Sequence, residues 1–173
     1  MMMGRLRSGK LSRDPAMAEE TAQPFRVLEH TADVGFEAFG RTREEVFANA
    51  ARALEDLIVP LETVRALEET TLKEEGRHDA SLLVNWLSEL VYRFDVEGRL
   101  YREFEVREVR SPAGGRRALT ACARGEAFDR SRHEVKVQVK AITYHQVLFE
   151  KTSQPSPGVP KAAGWHARVY VDI

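Results

Sequence analysis

Along this chain the spacing of apolar residues changes several times, and each change marks an element. In residues 34–40, Val34, Phe36 and Ala38 alternate with Gly35 and Glu37, which predicts a half-buried strand ended by Gly40. The spacing then turns helical: Val46, Phe47, Ala50, Leu54, Leu57 and Ile58 share one face, Thr42 stands three before Glu45 as in a capping box, and Pro60 stops the run. Residues 64–73 form a weaker strand candidate. A second helix is the clearest element. Asp79 can cap it, Gly98 closes it, and Leu83, Trp86, Leu87, Leu90, Val91 and Phe94 form a stripe along one side. Core packing against a sheet is the expected use of that stripe, ahead of a partner-binding surface.

The second half reads as strands. Tyr101 to Val109 leads to a turn around Ser111–Gly115, and Ala118 to Ala127 returns. Val135, Val137, Val139 and Ala141 alternate with Lys136, Gln138 and Lys140; Val147 and Phe149 continue the theme. Ala167, Val169 and Val171 alternate in a strand that runs to the chain end. Residues 153–164, with three prolines, predict a flexible loop, and the polar, aperiodic residues 1–24 a disordered extension. The domain is therefore expected over 25–173. Its fold class is α+β, a single domain with an antiparallel or mixed sheet and two main helices packed on it.

Composition narrows the function classes. At 43% hydrophobic and 31% charged, the chain fits a globular protein with a well-charged surface. No apolar run approaches the ~18 residues of a membrane helix, and the N-terminus lacks the apolar segment of a secretory signal, so no membrane partner and a cytoplasmic location are expected. A lone cysteine, Cys122, makes neither an internal disulfide nor a thiolate zinc cluster; its alternating setting reads as a buried strand position. Net charge is −1, and residues 25–173 hold 22 basic and 24 acidic side chains. That balance argues against strong RNA binding by the bulk surface, leaving a local patch or a partner to handle any RNA. There is no phosphate-cradling glycine loop, no HExxH and no GxSxG.

Four segments carry most of the remaining information: LEHTADVGFEAFG at 28–40, LLVNWLSELVYRFD at 82–95, GEAFDRSRHEVKVQVKAITYHQ at 125–146 and WHARVYVDI at 165–173. In that order and at those places they closely resemble the archease family, from Phe25 to the C-terminus. The resemblance implies a non-catalytic accessory protein of the RtcB-type RNA ligase, which seals RNA halves in tRNA splicing and RNA repair after attaching a guanylate to its own histidine. The helper would promote that guanylylation and multiple turnover, and would meet RNA only indirectly, through the ligase.

The resemblance also implies a metal site made of Asp33, Asp172 and the terminal carboxylate of Ile173. The chemistry agrees: an all-oxygen set with charge near −3 suits a hard divalent cation, calcium first, with magnesium and manganese as alternatives. Taken alone, Asp33 reads at least as well as a turn residue, and Asp172 reads as a solvated strand end ahead of a ligand; only the resemblance favours metal. His30, Lys140 and His145, inside the matched motifs, are candidate partner contacts or supports for the metal ligands. Asp129 and His133 read as turn-forming residues. Two other classes compete: a free-standing metal-dependent phosphoesterase using Asp33 and Asp172, and a general chaperone or RNA-binding module.

Overall fold

The computed structural model describes residues 23–29, 34–111, 114–153 and 164–173. The predicted extension and the proline-containing loop therefore fall almost wholly outside the described residues. Among the described residues there are eight strands: β1 (Phe25–Glu29), β2 (Val34–Gly40), β3 (Glu68–Gly76), β4 (Arg99–Arg110), β5 (Arg117–Ala127), β6 (Ala141–Ile142), β7 (Leu148–Thr152) and β8 (Gly164–Asp172). Two α-helices accompany them, α1 (Arg43–Ile58) and α2 (Asp79–Glu97), with a short 3-10 turn at Leu61–Thr63.

The α+β expectation is met by two antiparallel sheets. In one, the order is β1-β2-β8, with β6 and β7 both on the far edge of β8. In the other, β5 lies between β3 and β4. Helix α1 packs against β2 of the first sheet and β4 of the second, and α2 lies mainly on β3. The two helical stripes supply Phe47, Leu54, Leu83, Trp86, Leu87 and Leu90 to one core, as their spacing predicts. Trp86 satisfies its indole N–H on the Phe47 carbonyl at 3.1 Å, which ties the helices together.

The helix ends follow local chemistry, with one correction. Thr42 caps α1 by accepting from Glu45 N at 3.2 Å, while the Glu45 carboxylate takes the N–H of Arg41 at 2.7 Å. For α2 the cap is His78 and not Asp79. The extended His78 accepts from Ser81 N on its ring Nδ1 at 3.2 Å, and the Ser81 hydroxyl receives the His78 N–H at 3.0 Å. Asp79 is thereby left to pair with Arg43 and Arg117. Gly98 closes the helix in the left-handed region (φ 60°), where a side chain is disfavoured.

A second correction concerns 135–141. The alternation predicts a strand with Ala141 inward. Instead only Ala141 and Ile142 form a ladder, Val139 and Ile142 are buried, and Lys140 and Ala141 are both exposed. The segment changes phase at Lys140 because it is held by single contacts, Lys136 N to Ile58 O and Lys140 N to Asp172 O, each 2.8 Å. Its start is clamped by Glu126 and His133, the latter read from sequence as a turn former. His133 accepts from Asp129 N on Nδ1 at 2.9 Å, which places its N–H on Nε2 towards Glu126 Oε1 at 3.2 Å. Burial alone would raise the Glu126 carboxyl, but Arg132 and the Arg65 N–H outweigh it and hold it below the usual range.

Glu55 is the opposite case. It is 1% exposed on the core side of α1, and neither carboxylate oxygen has a hydrogen-bond partner. Burial pushes its carboxyl well above the ordinary value of 4.5 and outweighs the opposing influence of the Tyr101 main chain. The folded protein thus keeps a proton that the unfolded chain releases above about pH 4.5, so stability falls as pH rises, by about 1.4 kcal/mol per unit up to the folded value. Glu55→Leu is expected to stabilise by about 2 kcal/mol at pH 8 and by less at pH 4.5. Thermal unfolding at the two pH values checks this; an equal gain at both would show that Glu55 ionises in place.

Candidate functional site

The end of β8 is built from backbone pairing. β8 runs antiparallel to β2 from Gly40↔Trp165 to Val34↔Val171, so its final residues lie beside the start of β2. On the other edge Ala141 pairs with Asp172 and Ile142 with Val171. Ala167, Val169 and Val171 point into the core, and Asp172 and Ile173 are exposed, the latter by 52%. A chain end usually frays; this one is held on the inner strand of its sheet.

Lys140 holds it a second time. Its N–H donates to Asp172 O at 2.8 Å, and its ammonium donates to the Ile173 carboxylate oxygen at 3.0 Å. The structure therefore brings together Lys140, Asp172 and Ile173. Sequence reasoning offers Lys140 as a partner contact or as a support for the metal ligands; in the fold it bonds the chain's own terminus. His145 is exposed in the turn between β6 and β7, where Gln146 adopts φ 53°. His30 and Asp33 lie outside the described residues; Val34, directly after Asp33 in sequence, pairs with Val171.

The donor chemistry suits a hard cation. Asp172 and the terminal carboxylate offer adjacent, exposed oxygens, and the Lys140 contact engages one oxygen of the terminal pair. Among the described residues no group of three His, Cys, Asp or Glu side chains is gathered, so these two carboxylates are the described part of the proposed donor set.

Behind the tip, on the same sheet, Glu37 is buried and bonded to Arg26, Arg168 and His166, with both Arg168 contacts at 3.0 Å. Burial would raise its carboxyl; the hydrogen bonds from Arg26 and Arg168 more than reverse that and hold it low. The alternating pattern predicts Glu37 on a solvent face, and its burial was not legible from that pattern. The cluster fixes β1, β2 and β8 together across the strands that lead to the tip.

Comparison with known proteins agrees with this architecture. The Archease protein family matches residues 25–173. The protein archease of Methanosarcina mazei is 40% identical over 149 residues, covering 86% of this chain and 95% of that protein. The protein archease of Pyrococcus abyssi is 43% identical over 145 residues, covering 84% and 95%. The solution structure of Methanobacterium thermoautotrophicum protein 1598 superposes with a TM-score of 0.66 at 30% identity, covering 87% of this chain and 99% of that one. With the family matched from the first strand to the terminal carboxylate, the chain belongs to the archease family.

Proposed function

We propose that this protein is a non-catalytic, metal-binding helper of an RtcB-type RNA ligase, acting in the cytoplasm in tRNA splicing and RNA repair. The observation that carries the proposal is the β8 terminus: an exposed carboxylate pair, held rigid by the sheet and by Lys140, at the tip of a family member. Asp33, Asp172 and the Ile173 carboxylate would hold a divalent cation, calcium first, with magnesium or manganese as alternatives. Bound there, the cation would supply positive charge near the phosphates in nucleotidyl transfer, chemistry governed by charge placement.

This chain's residues do the positioning. The ladder sets the Asp172 main chain, Lys140 orients the terminal carboxylate and offsets part of its charge, and the Glu37 cluster stiffens the strands behind. His30 and His145 are assigned as contacts to the ligase or supports for the ligands. Catalytic groups belong to the ligase, and RNA is met through it.

The test adds purified protein to an RtcB-type ligase and follows covalent guanylylation. Wild type is expected to accelerate it at equal stoichiometry, and Asp33→Ala to leave the rate of ligase alone. No acceleration by wild type overturns the proposal. Phosphate release from nucleotide or RNA by the protein alone, lost in Asp33→Ala, would replace it with a metal-dependent phosphoesterase.

A further inference from the structure

A cavity of about 410 Å³ opens where β3 ends and α2 begins, lined by Arg77, His78, Asn85, Arg116 and Tyr144 among others. Its volume lies in the range of small-ligand sites. We infer that it binds one nucleoside phosphate unit, the phosphate on Arg77 and Arg116 and the base on Tyr144.

Charge is the first ground. Most arginines with acidic neighbours in this fold are committed: Arg43 and Arg117 share Asp79 beside the cavity, and Arg93, Arg99, Arg124 and Arg132 all hold carboxylates. Arg77 and Arg116 are exposed and form neither an ion pair nor a hydrogen bond among the described residues. The acid on the cavity lining is Glu75, and Asp79, next to His78 in sequence, is already shared by two arginines. The mouth therefore keeps a positive excess on a protein whose net charge is −1. Two free guanidiniums on one cavity are matched to phosphate.

The second ground is aromatic. Tyr144 is 60% exposed and, among the described residues, packs on no other ring, though it belongs to a pinned turn. Thr143 donates to Tyr170 O through its N–H at 3.1 Å and its hydroxyl at 3.3 Å, and Val147 N donates back to Tyr144 O at 3.4 Å. A bare aromatic side chain on a pinned main chain, lining the same cavity as two unpaired arginines, is an arrangement on which bases stack.

The polar lining completes the fit. Because the His78 Nδ1 accepts from Ser81 N, the neutral ring carries its proton on Nε2, a donor for a phosphate oxygen. Asn85 uses one amide N–H on Glu75 O at 2.7 Å, leaving its other N–H and its carbonyl for a base edge. Tyr144 also lies two residues beyond Ile142, which pairs with Val171, so a nucleotide here would sit about 13 Å along the strands from the chain end. The binding chemistry stands on the cavity alone; only its use in ligation rests on the function proposed above.

The test titrates the full-length protein with adenosine 5′-monophosphate, a 5′-phosphorylated tetra-adenylate, adenosine and inorganic phosphate, read by amide chemical-shift changes. Saturable shifts with the two nucleotide probes are expected. Tyr144→Ala should weaken them about ten-fold and Tyr144→Phe should preserve them. Arg77→Gln with Arg116→Gln should abolish detectable binding of the monophosphate and flatten the salt dependence for the tetra-adenylate by about 1.4 in log–log slope. Tighter binding of the tetra-adenylate assigns the site to a strand; equal binding assigns it to a free nucleotide. Absence of saturable binding, phosphate binding as tightly as the nucleotides, or binding unchanged in folded variants would overturn the inference. The ligase assay is not the readout, so failure of the helper reading would leave this result standing.

Discussion

Extending the chain past Ile173 by a short tag is expected to return ligase guanylylation to its unassisted rate while leaving the fold intact. The tag turns the terminal carboxylate into an amide. That removes a full negative charge from the proposed donor set and leaves the Ile173 oxygen that Lys140 holds at 3.0 Å as a neutral acceptor. The structural cost is small, since the pair is exposed and such pairs contribute about 0–1 kcal/mol. The Ala141↔Asp172 and Val34↔Val171 pairings involve main chain upstream of the tag and persist. A Tm near that of the wild type together with lost stimulation is the expected pair of results. Full stimulation by the tagged chain would remove the terminal carboxylate from the mechanism and leave Asp33 and Asp172 to account for it.

Gly125→Ala is expected to cost about 4 kcal/mol, which for a chain of this size lowers Tm by roughly 8–16 °C. Gly125 sits in β5, between two strands, paired with Glu68 on one side and Tyr101 on the other. A Cβ there would lie 1.8 Å from the Leu100 carbonyl oxygen and 2.7 Å from Tyr101 Cα, both backbone atoms. The strands cannot part cheaply, because the ladder is continuous on the β3 side and is already bulged between Tyr101 and Glu103 on the other. Gly114→Ala is the control: it sits in an exposed turn at φ 116° with nothing within 4 Å of an added Cβ, so only backbone strain opposes it. Circular dichroism melts of the two variants decide the point, and a Gly125→Ala Tm within 2 °C of wild type would refute the close-packing argument.

The sequence reading and the structure part company at identifiable places. Both helices were legible, because periodic apolar residues such as Leu83, Trp86, Leu87 and Leu90 face a core whatever lies opposite. The cap of α2 was misassigned because Asp is the commoner cap, and only the extended backbone at His78 shows which residue precedes the first turn. The strand expected across 135–141 dissolves because alternation records burial, not ladder partners; Val139 and Ile142 are buried without a continuous strand between them. Glu126 and His133, seven apart in sequence, bond to each other, a pairing that needs the turn between them to fold back.

What the sequence determined by itself was the periodic elements, the α+β class, and the motifs from Leu28 to Ile173 that place the chain in its family, since these depend on local spacing and residue identity. Tertiary structure decided which residues stand together. Asp172 follows Lys140 by 32 positions, yet their backbones bond because β6 and β8 pair; Arg77 and Arg116 meet Tyr144 over one cavity because α2 starts beside the turn after β6. Strand register and helix docking bring such distant side chains into contact, and both are set by long-range burial that no local pattern encodes.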